Sequence, residues 1–136
     1  MTKLFQIEEP DGSPADASAP GVAVGIAFGK GTGTVAFAVG GNAEILPGPD
    51  GERLLDAKDL TAMLIGLRMR AERQLGRPVT HAVVALSPIE EGPLAVAAET
   101  AELAIIETSD LGTASLEAAA LQAAALAEDL APKIPS

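Results

Sequence analysis

The chain has 136 residues, no cysteine, one histidine and a formal net charge of −10. These counts exclude disulfide scaffolds, thiolate metal sites, cysteine nucleophiles and zinc sites built on several imidazoles. The negative charge disfavours nucleic acid and anionic lipid surfaces as partners, and three phenylalanines are the only aromatic residues, too few for a base-stacking platform.

The first twenty residues are polar and rich in turn-forming residues. We interpret residues 1–20 as a flexible leader, with a short apolar group at residues 4–7 as an alternative edge strand. An early acidic pair argues against a secretory signal, and no apolar run is long enough to cross a bilayer. We therefore expect one domain over residues 21–136 and a cytoplasmic protein with no membrane partner.

Three strands are predicted in the first half of the domain. Residues Val22 to Phe28 form a continuous apolar run, which is typical of a strand that is covered on both faces. A glycine-rich turn leads to a second strand over Thr34 to Val39, and another leads to a third over Ala43 to Leu46. These strands predict an antiparallel meander.

The apolar spacing then changes to that of a helix. One stripe consists of Leu60, Met63, Leu64, Leu67, Ala71 and Leu75. Asp56 and Asp59 resemble a capping pair at its start, and Gly76 with Pro78 ends it.

The remaining elements alternate between strand and helix. The pattern predicts a strand over Val79 to Leu86, a short helix over Leu94 to Glu102 and a strand over Leu103 to Glu107. An alanine-rich helix follows over Thr113 to Leu130, and its alanines permit close packing on a sheet.

The order of elements predicts an α/β domain of the ribonuclease H-like fold. It would have a five-stranded mixed sheet, formed by a three-strand meander and then strand-helix repeats, with three helices on its faces. That fold serves many functions and does not by itself assign one.

Two segments of the chain carry a family resemblance. Residues 25–37 read GIAFGKGTGTVAF, and residues 59–88 read DLTAMLIGLRMRAERQLGRPVTHAVVALSP. They resemble the first phosphate loop, and a helix with its following strand, in the ATPase domain of the seventy-kilodalton heat-shock chaperones, within the actin-like ATPase superfamily. The resemblance as a whole covers roughly residues 22–107 and implies a degenerate, truncated relative that corresponds to the first lobe only.

The departures from the family bear on catalysis. The family has an aspartate on its first strand that organises magnesium and the attacking water, and this chain has Ala27 there. A methyl group supplies neither charge nor an oxygen ligand. We therefore expect no enzyme activity and no cofactor, with ATP and magnesium as the alternative that the resemblance implies.

A glycine-rich turn is the candidate nucleotide site. Its residues are Gly29, Lys30, Gly31, Thr32 and Gly33. Exposed backbone N–H groups and one lysine could bind phosphate, but the same residues could form a hairpin turn and nothing more. The turn is not a P-loop, because Gly31 replaces the Ser or Thr that should follow the lysine.

A second candidate site lies where the strands of such a sheet end. Ligands gather at the carboxyl ends of parallel strands. The candidate partner-binding residues there are Ser87, Pro88, Ile89, Asp110, Leu111 and Gly112. Asp110 or Thr113 is also expected to cap the last helix.

Other polar residues have plainer interpretations. His81 is interpreted as a structural or surface residue, since no serine and acid accompany it in a catalytic pattern. The carboxylates Glu90, Glu91, Glu99 and Glu102 are expected to form a solvated face. Arg68, Arg70 and Arg73 are expected on an ordinary polar helix face.

We interpret the chain as a non-enzymatic, chaperone-like interaction protein that binds a partner chain or forms a homo-oligomer. The alternative is the nucleotide-binding half of a two-chain actin-like ATPase. A third possibility is a small-ligand binder that uses the glycine turn.

Overall fold

A computed structural model describes residues 21–87 and 92–130. The leader expected over residues 1–20 lies outside the described residues. The strands are β1 (Val22–Gly29), β2 (Thr32–Val39), β3 (Asn42–Ile45), β4 (Leu55–Asp56), β5 (Val79–Leu86) and β6 (Ala104–Asp110). The helices are α1 (Leu60–Leu75), α2 (Leu94–Ala101) and α3 (Leu116–Leu130).

The strands form one mixed sheet in the order β3-β2-β1-β5-β6. β1, β2 and β3 pair antiparallel, whereas β5 runs parallel to both β1 and β6. Helices α1 and α2 pack on one face of the sheet, and α3 packs on the other. The predicted ribonuclease H-like fold is confirmed. The sequence pattern missed β4, which pairs antiparallel with β2 and is too short to show a period.

The central strand and α3 lie almost in backbone contact. A Cβ atom placed on Gly25 of β1 would lie 2.1 Å from the backbone nitrogen of Ala124 and 2.6 Å from the carbonyl oxygen of Ala120. Because real Cβ atoms essentially never approach a neighbour this closely, only glycine fits here. The side chains around this contact are small and buried: Ala23, Ala27, Ala36, Ala38, Ala85, Ala119, Ala123 and Ala127. The expected close packing of the alanine-rich helix is confirmed.

Carboxylates hold α3 near both of its ends. Glu117 in the first turn accepts a hydrogen bond from Arg53 Nε at 2.8 Å. Near the carboxyl end, Glu128 accepts from the backbone N–H groups of Gly40 and Gly41 in the β2–β3 turn. The first contact joins α3 to the segment between β3 and β4, and the second joins it to the β2–β3 turn.

The helix caps differ in part from the prediction. Asp59 caps α1 as expected, because its Oδ1 accepts from the N–H of Ala62 at 2.8 Å. Asp56 is not a capping partner; it lies in β4, and its carboxylate accepts from the hydroxyl of Thr32.

The expected cap of α3 by Asp110 or Thr113 is wrong. The hydroxyl of Ser115 accepts from the N–H of Ala118 at 3.1 Å, so the helix begins at Leu116. Asp110 instead ends β6, which extends three residues beyond its predicted end. The carboxylate of Asp110 accepts from the N–H of Gly112 at 2.9 Å and closes a local turn.

The expected polar face of α1 is wrong for Arg70. Its side chain is only 5% exposed, and its guanidinium lies 3.4 Å from a carboxylate oxygen of Glu52. Gln74, one turn further along the helix, donates to the carbonyl of Pro47. On the sheet side, the buried hydroxyl of Thr34 donates to the carbonyl of Arg53. These side chains fix the segment between β3 and β4 against the rest of the domain.

Replacing Gly25 with alanine tests the backbone contact. The methyl group would overlap the backbone of α3, so we expect the free energy of unfolding to fall by about 3 kcal/mol, as for an overpacked core. Urea unfolding followed by far-UV circular dichroism measures the change. Gly92→Ala is the matched control, since its added Cβ has no neighbour within 4 Å, and we expect a change below about 1 kcal/mol. Equal stability of the two variants would contradict the contact.

Candidate functional site

The strands β1, β5 and β6 run parallel, and their carboxyl ends meet at one edge of the sheet. We call this surface the carboxyl-end rim. It comprises the β1–β2 turn, Ser87, residues 110–112 and the segments that lead into α1 and α3. Because strand ends at such an edge are loops on a rigid scaffold, this is where the fold presents groups for binding.

The β1–β2 connection is a two-residue hairpin turn. Lys30 and Gly31 both have positive φ angles, 55° and 81°, and Gly29 pairs directly with Thr32. Such angles are typical of a type I′ turn, which accounts for Gly31 on conformational grounds alone. The carbonyl of Gly31 accepts from the N–H of Ala57 at 3.0 Å, so the turn is tied to the segment that precedes α1.

Thr32 and Gly33, the last two residues of the predicted phosphate loop, make contacts that stabilise the sheet and its packing on α1. The hydroxyl of Thr32 donates to Asp56 at 2.8 Å. Gly33 is buried, pairs with Phe28 and Leu55, and would place a Cβ atom 2.8 Å from the sulfur of Met63. Gly33 thus packs against α1. That it binds phosphate stays a prediction, and its contacts do not support it.

A cleft of about 450 Å³ lies between the hairpin turn and the start of α3. We call it the α3 cleft. Its lining residues are Gly29, Lys30, Ser87, Leu111, Gly112, Ala114, Ser115 and Leu116. The structure therefore brings together members of both predicted sets, the glycine turn and the partner-binding residues. Pro88 and Ile89 lie outside the described residues, and Asp110 flanks the cleft without lining it.

A smaller cleft of about 210 Å³ lies on the other side of the same turn. We call it the α1 cleft. Its lining residues are Phe28, Gly31, Ala57, Lys58, Asp59, Leu60, Met63 and Pro93. Sequence reasoning missed this cleft, because it depends on how the segment before α1 packs beside the turn. The feature of the sequence that points to this cleft is the apolar Leu60 at the start of α1, which lines it.

Ala27 lies beneath the α3 side of the rim and is completely buried. Its methyl group belongs to the apolar cluster that contains Ala85, Ala119 and Ala120. The position where the resembled family has its metal-organising carboxylate is therefore closed in this chain by the alanines of α3. A carboxylate there would be buried among methyl groups, at a large desolvation cost.

The other polar residues singled out in the sequence lie away from the rim. His81 is near the amino end of β5, where its Nδ1 lies 2.7 Å from the hydroxyl of Thr80. Glu99 and Glu102 are exposed on and after α2. Among residues 21–87 and 92–130, no group of three or more His, Cys, Asp or Glu side chains could hold a metal ion. No helix in those ranges has the length and apolarity to cross a membrane.

Comparisons with known proteins give a structural likeness and no sequence relative. No protein-family model matches the sequence, and no similarity to a curated protein is significant. Among solved structures, the chain is similar to the ethanolamine utilization protein EutJ from Carboxydothermus hydrogenoformans, at 20% identity and a TM-score of 0.42. The likeness covers 71% of this chain and 39% of that protein. Values this low carry no argument about function, and the fold assignment rests on the order and direction of the strands.

Proposed function

We propose that this chain is a non-enzymatic interaction protein with a chaperone-like role, whose ribonuclease H-like lobe binds another polypeptide at its carboxyl-end rim. The proposal rests on two neighbouring features of the rim. The side chain of Ala27 is completely buried, and open, partly apolar clefts lie beside it. The first feature argues against metal-assisted phosphate chemistry, and the second argues for a docking surface.

The burial of Ala27 supports the non-enzymatic part of the proposal. Phosphoryl transfer depends on positioned charges and metal ions around the transferred group. In this lobe, the strand position that would organise them carries a methyl group under α3. The hydroxyl of Thr32, which could have helped to bind phosphate, already donates to Asp56.

The clefts support the binding part of the proposal. Each combines apolar side chains, such as Leu116 or Met63, with a few polar groups at its edge. Concave apolar surface with sparse polar groups is typical of a binding site. Both clefts lie at the rim, where a partner could cover them together.

The alternative is the nucleotide-binding half of a two-chain ATPase. The one feature that favours it is Lys30, which stands with Gly29 at the edge of the α3 cleft. A lysine next to a glycine turn provides a positive charge for phosphate, but the turn itself is a closed hairpin with its flanking residues paired. We therefore rank this function second.

Calorimetric titration with ATP and ADP in the presence of magnesium separates the two functions. We expect no binding heat and no phosphate release above a buffer blank. Ala27→Asp is expected to lower the free energy of unfolding by about 3 kcal/mol or more without producing hydrolysis, because it buries an unpaired carboxylate. Ala125→Asp, on the exposed side of α3, is the matched control and should have little effect. Micromolar nucleotide binding by the unaltered chain would support the alternative instead.

Co-purification from the native cell tests the docking surface. Ala114 lines the α3 cleft and is exposed, so Ala114→Glu should place a charge in the cleft without unfolding the domain. We expect it to abolish recovery of the bound chain. Val96→Glu is the matched control, because Val96 is 69% exposed on α2 and lines neither cleft. The proposal would be contradicted if the unaltered chain and both variants recovered a partner equally well. It would also be contradicted if none of the three proteins recovered a partner.

A further inference from the structure

The segment between β3 and β4 buries little apolar surface of its own. We call residues 47–54 the strap. Pro47 is half-buried and Gly48 is buried, whereas residues 49–54 are all exposed. A segment of this kind opens locally at a lower free energy than the whole domain. The strap can therefore move while the rest of the domain stays folded.

Hydrogen bonds within the strap make it one compact unit. The carbonyl of Glu52 accepts from the N–H of Gly48 at 2.8 Å, and the carbonyl of Gly48 accepts from the N–H of Gly51 at 2.9 Å. The carboxylate of Glu52 accepts from the N–H of Asp50 at 3.0 Å. Because these bonds close the strap on itself, we expect its residues to move together.

The strap covers a buried charge. The side chain of Arg70 is only 5% exposed. Within the part of the chain that the structure describes, both polar contacts of its guanidinium are with Glu52, at 3.5 Å to the carbonyl oxygen and 3.4 Å to the carboxylate. These distances exceed the roughly 2.9 Å that is typical of an N–H···O hydrogen bond. Such weak contacts compensate only in part for the hydration that the guanidinium loses.

Opening the strap would return water to this charge. The other attachments of the strap are polar as well, since Gln74 donates to the carbonyl of Pro47 and the hydroxyl of Thr34 donates to the carbonyl of Arg53. Water can replace each of these bonds when the strap opens, so their net contribution to closure is modest. The carboxylate of Glu52 contributes more, because without it the closed strap would cover an unpaired cation.

The strap is joined to a wall of each cleft at the carboxyl-end rim. Arg53 donates to Glu117 in the first turn of α3, next to Leu116, which lines the α3 cleft. The strap leads through β4 to Ala57, which lines the α1 cleft and donates from its N–H to the carbonyl of Gly31. A movement of the strap would therefore reach both clefts.

We infer that the strap is a conformational switch: the Glu52–Arg70 contact holds it closed, it opens as one unit, and its opening loosens one wall of each cleft. When it opens, Arg53 leaves Glu117, and the first turn of α3 loses its tie to the segment between β3 and β4. This switch does not depend on what the rim binds, so its absence would leave the proposed function standing.

Amide hydrogen exchange followed by NMR tests the switch in Glu52→Gln, which removes the charge and keeps the size of the side chain. We expect the amides of Gly48 and Gly51 to exchange about tenfold faster or more, because the buried cation loses its counter-charge. The amides of Ala57 and Ala118, beside the α1 cleft and in the first turn of α3, should exchange about two- to fivefold faster, since exposed contacts join them to the strap.

Asp50→Asn is the matched control. It removes the same charge from the same strap, and the carboxylate of Asp50 has no ion pair with any described residue. We expect it to leave the exchange of all four amides unchanged. The inference would be overturned if Glu52→Gln behaved like the control, or if its effect were confined to Gly48 and Gly51.

A second background tests whether Glu52 acts through Arg70. Arg70→Met removes the buried charge and keeps an apolar stem, so adding Glu52→Gln to it should change the exchange of the four amides by less than about twofold. Arg70→Gln, which also removes the charge, serves if the methionine variant does not fold. An equal effect of Glu52→Gln with and without the Arg70 charge would show that Glu52 acts only through its own turn, and would overturn the inference.

Discussion

The backbone contact between β1 and α3 is the constraint on which the rest of this structure depends. At Gly25, α3 approaches so closely that not even a methyl group fits between strand and helix. Such an approach is possible only if the neighbouring side chains on both elements are small, and the chain uses alanine at most of those positions. On this face of the sheet, dispersion contacts between closely packed backbones take the place of large apolar side chains, which fill the core on the α1 face instead.

The same constraint shapes the rim. Because α3 lies directly on β1, the side chain at position 27 must be small, and the alanines of α3 close over it. A catalytic carboxylate and this packing cannot occupy the same place. The first turn of α3, fixed by Arg53 and Glu117, then forms one wall of the α3 cleft. Close packing thus keeps the side chain at position 27 small and places the first turn of α3 beside the α3 cleft.

The sequence predicted the elements with a strong period and missed those fixed by tertiary contacts. The stripe from Leu60 to Leu75 and the buried run from Val79 to Leu86 lie where the pattern placed them. The two-residue β4 has no period of its own and exists because Leu55 and Asp56 pair with β2. Likewise, Arg70 reads as a surface residue until the segment that carries Glu52 packs over it. The rim was predicted from strand order, but the α1 cleft could not be, since it forms between segments distant in sequence.

Native-state amide hydrogen exchange tests the central claim, that α3 remains closed over β1 and Ala27. The account predicts that the amides from Val24 to Phe28 exchange only through global unfolding. Their free energies of exchange would then equal the free energy of unfolding from urea denaturation, with or without ATP and magnesium. Exchange of these amides at a distinctly lower free energy, together with those of α3, would show that the helix lifts from the sheet. That result would contradict the account and reopen the position of Ala27 as part of a site.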